Sequence, residues 1–309
     1  MTGDKILLAT GPSPNSAHRT ETFAICPRRR GFDFHGEQEP GKPWHTPATA
    51  RGTLLHVALA HHYRRIQATQ DGDDPDQWWE PAVAVALLAK QTANPTGTIM
   101  QAQVASVLEA YLAYKANYTF EKFRVRAVEQ VVEIPVPGTG GPGEPPCKTA
   151  RIDLIYENKA GKLILVDHKS TGRITKLHPW FYARTGQFLL MRWLGASFGS
   201  RFGGVLLNLV QVGQAGPKFE RPNLDPVPGF LASYPLYLSW YEPQRIAFEQ
   251  SDLPPELWPP LPSEHTCMGR YAPGCPHADK CDVAVPASVS PQDINWPSFT
   301  LAGGRSEAE

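Results

Sequence analysis

Between Ala150 and Val166 the hydrophobic pattern changes period twice. Ile152, Leu154 and Tyr156 alternate with polar residues, as on a strand, whereas Leu163–Val166 is a continuous apolar run suited to a buried strand. Asn158–Gly161 between them has the composition of a hairpin turn. Upstream, residues 50–68 place Leu54, Leu55, Ala58, Leu59 and His62 at helical spacing, and Arg64 and Arg65 lie toward the end where the helix dipole favours cations. Residues 81–90 predict a short alanine-rich helix. Residues 100–118 predict a longer one, striped by Val104, Val107, Leu108, Tyr111, Leu112 and Tyr118. Val125–Ile134 reads as a strand, although its alternation is imperfect from Val128 onward. Beyond the hairpin, residues 178–198 read as one helix and 203–212 as a buried strand. This order predicts an α/β fold, a mixed central β-sheet flanked by helices.

The hairpin also carries the candidate chemistry. Asp153 on its first strand and Asp167 on its second can lie on neighbouring strands, and two carboxylates held that close repel unless a cation sits between them. Mg²⁺ takes such oxygen ligands and keeps several waters, so two carboxylates, a backbone carbonyl and a phosphate oxygen make a suitable site. Lys169, two residues after Asp167, falls on the same side of its strand, where it can orient water or offer positive charge to a phosphate.

Composition narrows the setting. The 309 residues carry 30 Lys and Arg against 30 Asp and Glu, so any attraction to nucleic acid must come from a local patch. Arg173, Lys176 and Arg184 gather after the hairpin and form one candidate, with Tyr182 and Trp180 able to stack on exposed bases. No apolar run of membrane-spanning length and no signal-like N-terminus is present, which predicts a cytoplasmic protein with no membrane partner. Residues 1–20 read as a flexible segment, 21–285 as one domain and 286–309 as a tail.

The five cysteines do not suit a secreted disulfide framework. Cys267, Cys275 and Cys281 stand close together in a Gly- and Pro-containing stretch, Cys26 is the fourth candidate ligand, and Cys147 reads as structural or free. Iron–sulfur and structural zinc chemistry both suit four thiolates, and His265 or His277 can replace one of them on zinc.

Asp153 followed by Asp167-His168-Lys169 across a hairpin resembles the PD-(D/E)XK nucleases, and the flanking RIDLI and ILVDHKS resemble their RecB-like branch. Gly52-Thr-Leu-Leu-His56 is similar to the G-x-x-x-H segment of that branch, which implies that His56 faces the metal, with His61 and His62 as surface or packing residues. Gln187 is similar to the glutamine of its Q-x-x-x-Y pattern. Met191 occupies the tyrosine position, which leaves Tyr182 or Trp193 as the aromatic partner. Cys26-Pro-Arg and the later triplet resemble the clasp of the AddB and CRISPR-adaptation kinds, which implies a [4Fe–4S] cluster on Cys26, Cys267, Cys275 and Cys281.

The resemblance implies a PD-(D/E)XK restriction-endonuclease-like core. It also implies a Mg²⁺- or Mn²⁺-dependent deoxyribonuclease with His56, Asp153, Asp167 and the His168 carbonyl as metal ligands and Lys169 and Gln187 as catalytic groups. The expected substrate is DNA, as single strands or ends, in recombination, repair or phage-type processing, alongside a helicase or recombination partner. A DNA-binding scaffold that has lost turnover is the alternative, and the intact Asp, Asp and Lys set argues against it. RNA as substrate stays open.

Overall fold

The computed structural model describes residues 16–27, 30–31, 46–92, 96–119, 122–135, 147–213 and 215–254. The chain divides into two compact units, one drawn from 40–132 and 150–227 and the other from 15–39, 133–149 and 228–309.

In the first unit, helix α2 (Pro47–Asp71) starts at Thr46, whose side chain accepts a hydrogen bond from Thr49 N, and ends at Gly72 in the left-handed region with φ of 81°. (Helix α1, Ala17–Ile25, belongs to the second unit.) Helices α3 (Pro81–Gln91) and α4 (Thr96–Asn117) pack with α2 around Leu54, Leu55, Leu59, Val85, Val107 and Tyr114. Leu154, Ile164, Val166 and Val210 extend this core onto the sheet. The strands are β1 (Arg124–Pro135), β2 (Cys147–Glu157), β3 (Leu163–Thr171), β4 (Phe202–Gln211), β5 (Lys218–Glu220) and β6 (Asn223–Leu224). Their order is β1-β2-β3-β4-β5, with β6 also on β4. β2 and β3 are antiparallel and β3 and β4 parallel, so the sheet is mixed and flanked by helices, as the sequence predicts.

The hairpin turn follows from its residues. Asn158 Oδ1 accepts from Ala160 N and Lys162 N, and Gly161 supplies the positive φ of 73°. The segment expected as one helix over 178–198 is two: α5 (Leu177–Tyr182) and α6 (Gly186–Ser197). Thr185 between them is extended, and Ala183, Arg184 and Thr185 close turns onto Pro179, Phe181 and Tyr182. Apolar spacing continues across this break, which is why the pattern alone reads as unbroken. On α2, a Cβ added at Gly52 would sit 3.2 Å from Ser170 Oγ, so glycine lets the helix approach β3 just past Lys169.

The second unit contains α1 (Ala17–Ile25) and α7 (Pro228–Glu249). Residues 17–20, expected in a flexible segment, form the first turn of α1, and Thr20 is fully buried. Helix α7 has no counterpart in the sequence reading, because Pro235 and Pro243 inside it argue against a helix. It is held by buried charge. Glu242 accepts from Lys148 Nζ at 2.8 Å, from Arg245 Nη2 at 2.5 Å and from Thr20 Oγ1, while Arg30 Nε donates to Glu249 at 2.7 Å. Among the described residues, no helix is long and apolar enough to cross a membrane.

Candidate active site

The β2–β3 register pairs Leu154 with Val166, and one further step sets Asp153 beside Asp167. Both are buried. Alternation along β3 sends Ile164, Val166 and His168 to the face covered by α2, and Asp167 and Lys169 to the other. Lys169 Nζ lies 2.6 Å from Asp167 Oδ2, in a close ion pair. Helix α6 brings Gln187 over this pair. Its Oε1 accepts from Lys169 Nζ at 3.0 Å and its Nε2 donates to Asp167 Oδ1 at 2.5 Å. The glutamine therefore fixes both groups at once.

Asp153 is engaged on two sides. Its Oδ2 accepts from the backbone N–H of His168 at 2.6 Å and lies 3.5 Å from His56 Nδ1. The His168 side chain points the other way. Its ring stacks on Tyr63 at 5.7 Å and 6°, and its Nδ1 accepts from Asn208 Nδ2 at 2.6 Å, while Asn208 Oδ1 accepts from Arg221 Nε at 3.1 Å. Burial pushes the His168 imidazole down to about 3 despite Asp153, which agrees with a neutral ring accepting at Nδ1. Strand β3 is thereby anchored on both faces at the residue between Asp167 and Lys169.

The structure adds Glu129. Its carboxylate lies within 4.8 Å of ligand atoms of His56 and Asp153, and the three side chains form a group able to hold a metal ion. Glu129 has φ of 51° in the middle of β1. Holding a side chain in that region costs about 1–3 kcal/mol, and such strain is concentrated at functional sites. The imperfect alternation after Val128 was its trace in the sequence, but only the backbone shows where the carboxylate turns.

The electrostatics describe a site short of positive charge. Burial, and then the charge of Asp153, pushes the Glu129 carboxyl up to about 8. Burial likewise lifts Asp167 to about 6 although Lys169 opposes it. Burial disfavours charge on His56, yet Asp153 overrides this and raises the imidazole to about 9. Asp153 itself is held well below the usual carboxylate range because His56, His168 and Lys169 outweigh its burial. Burial also works against a charged Lys169, but Asp167 and Asp153 prevail and raise it, so it is an ammonium at neutral pH. Protons occupy positions that a divalent cation would compete for, and the donor set of oxygen and imidazole suits such an ion.

Of the other expected residues, Arg173 and Lys176 are exposed in the segment after β3, and Arg184 packs its guanidinium over the Trp180 ring at 4.1 Å. Tyr182 has its ring centre 6.0 Å from Lys169 Nζ, and that of Phe188 lies at 5.9 Å; Met191 is buried. His61 is buried and His62 packs on Tyr111. Cys26 is buried beyond the end of α1, whereas Cys267, Cys275 and Cys281 lie outside the described residues, as do His265 and His277.

Residues 14–195, more than half of the chain, match the PD-(D/E)XK nuclease superfamily. No curated protein matches the chain. Among solved structures, one described as an exonuclease candidate from Eubacterium rectale aligns at 12% identity over 91% of this chain and 92% of its own, with a TM-score of 0.45. The protein SSO0001 aligns at 15% identity over 68% of this chain and 84% of its own, with a TM-score of 0.24.

Proposed function

From a chain that belongs to the PD-(D/E)XK nuclease superfamily, we propose a Mg²⁺- or Mn²⁺-dependent deoxyribonuclease acting on single strands and ends during DNA recombination, repair or phage-type processing. The observation that carries this reading is Lys169, held between Asp167 and Gln187 beside the His56, Glu129 and Asp153 cluster.

His56, Asp153, Asp167 and the His168 carbonyl would hold the ion, with Glu129 beside them. When bound, the ion supplies Lewis acidity toward the phosphodiester. Lys169, charged at neutral pH, stabilises negative charge developing on the phosphate and orients the attacking water through its N–H groups. Gln187 bonds both members of the Lys169–Asp167 ion pair and so holds the ammonium in place beside the acids. Arg173, Lys176 and Arg184 contact the DNA backbone, and Tyr182 lies against the nucleotide beside the scissile phosphate. Four thiolates, Cys26, Cys267, Cys275 and Cys281, suit a [4Fe–4S] clasp, with structural zinc as the competing occupant.

The test is a panel of labelled linear and circular, single- and double-stranded DNA incubated with Mg²⁺, Mn²⁺ or EDTA. Linear single strands should be cut with either metal and untouched in EDTA. Faster cutting of closed duplex circles than of linear single strands would contradict the substrate assignment. An absence of metal-dependent cutting in every arm would contradict the nuclease assignment.

A further inference from the structure

Helix α5 leaves Leu177, Trp180 and Phe181 exposed by 71, 59 and 57% on six residues, directly after the strand that carries Asp167 and Lys169. An aromatic path joins this surface to the site. Lys169 Nζ lies over the Tyr182 ring, and Tyr182 packs against Phe188 at 5.6 Å, Phe181 at 5.4 Å and His178 at 6.1 Å. One residue before Phe181 on the same helix, Trp180 carries the Arg184 guanidinium on its ring, and Arg184 Nη1 donates to the Trp180 carbonyl at 2.6 Å. The bond to the carbonyl anchors Arg184, whose guanidinium backs the indole and leaves the ring exposed. Arg173 and Lys176 stand exposed a few residues away.

Resting on the nuclease reading above, we propose that Trp180 is a specificity-determining residue that stacks on an unpaired base next to the scissile phosphate. A fixed, half-exposed indole offers a π-face that any base can cover, and base–aromatic stacking tolerates every sequence. Duplex DNA has no free base faces inside it, so the platform favours unpaired nucleotides there. The nearby cations match the phosphates that link such bases. The break between α5 and α6 has a purpose in this arrangement. One continuous helix would carry Trp180 on the same axis as Gln187, whereas the turn at Ala183–Thr185 gives the platform its own orientation.

The test combines cleavage with binding. Single-stranded oligonucleotides carrying one abasic site at successive positions are cut by wild-type protein and by Trp180→Ala, Trp180→Leu and Trp180→Phe. In parallel, 2-aminopurine at the same positions reports stacking in EDTA, where no cutting occurs. Trp180→Ala should lower kcat/KM on intact single strands about tenfold, Trp180→Leu similarly, and Trp180→Phe much less. One abasic position should cost the wild type the same factor and cost Trp180→Ala little more, because both remove one stack. At that position 2-aminopurine should be quenched by wild type and not by Trp180→Ala. Additive losses, equal activity of the Leu and Phe variants, or quenching that survives Trp180→Ala would overturn the platform while leaving the nuclease reading intact. Wild-type protein that quenches 2-aminopurine through Trp180 yet cuts nothing with any metal would support the platform and overturn the nuclease reading.

Discussion

Two buried charge clusters in this protein look alike in composition and behave oppositely. In the second unit, Glu242 is surrounded by Lys148, Arg245 and Thr20. Burial alone would raise its carboxyl, but the two cations override that and hold it at about 2. At the candidate active site, desolvation pushes buried Asp167 and half-buried Glu129 up to about 6 and about 8, although Lys169 opposes it at Asp167 and His56 at Glu129. A structural cluster supplies its own counter-ions, whereas a site that binds a cation is completed by it. The direction of the carboxylate shift separates the two. Asp153 is the exception within the site because His56 already serves as its partner.

The sharpest way to break this comparison is to neutralise one acid in each cluster. Asp167→Asn should cut DNA at least about 100-fold more slowly, since it removes charge at the reacting centre, with little change in melting temperature. Glu242→Gln should retain the site but cost about 3–5 kcal/mol of stability, because it removes the buried anion that Lys148 and Arg245 share and leaves Arg245 only Glu249. Cleavage assays and thermal melts on both variants should therefore cross; parallel effects would dissolve the distinction.

Titration gives a second contrast. The folded Glu242 carboxyl lies below its ordinary value of 4.5, so its stabilisation is fully present above pH 4.5 and is lost as pH falls toward about 2. The folded His56 imidazole lies above 6.5, so its contribution is present below that pH and is lost as pH rises through about 9. Metal-free protein should lose stability at both ends, and Glu242→Gln should flatten only the acid limb. Metal binding should follow the site alone. Apparent Mn²⁺ affinity should rise from pH 6 to 9 as Asp167, Glu129 and His56 release protons, which calorimetry in buffers of different ionisation enthalpy will read.

Smaller effects sharpen the picture. If Cys26 shares a cluster with the later cysteines, anaerobically purified protein should be brown with about four irons per chain. Cys26→Ser should then bleach it and lower the melting temperature, while Cys147→Ser should do neither. Colourless protein with one zinc per chain would move the site to zinc. Gly52→Ala presses a methyl group on Ser170 Oγ, a neighbour that can shift by a few tenths of an ångström, so a loss of cleavage of only a few-fold is expected.

What the sequence displayed and what it hid follow from the range of the interactions. The hairpin was legible because alternation, an apolar run and Asn158–Gly161 are all local signals, and they put Asp153, Asp167 and Lys169 together. Gln187 and His56 came through a family likeness, and the geometry brings both to those acids. Glu129 stayed hidden because a positive φ in a strand leaves only a flaw in alternation. Helix α7 stayed hidden because its two prolines speak against a helix, while partners such as Thr20 and Lys148 lie far away in the chain. The break before α6 depends on the conformation of Thr185, on which the spacing of apolar residues is silent.

The most direct measurement is single-turnover cleavage of a labelled single-stranded oligonucleotide by Lys169→Ala, read together with its Mn²⁺ affinity. Wild-type protein should cut with Mg²⁺ or Mn²⁺ and stop in EDTA. Lys169→Ala should bind Mn²⁺ about as well as wild type, since the ammonium is not a ligand, and should lose cutting by at least about 100-fold. Cleavage by Lys169→Ala at the wild-type rate would contradict the account.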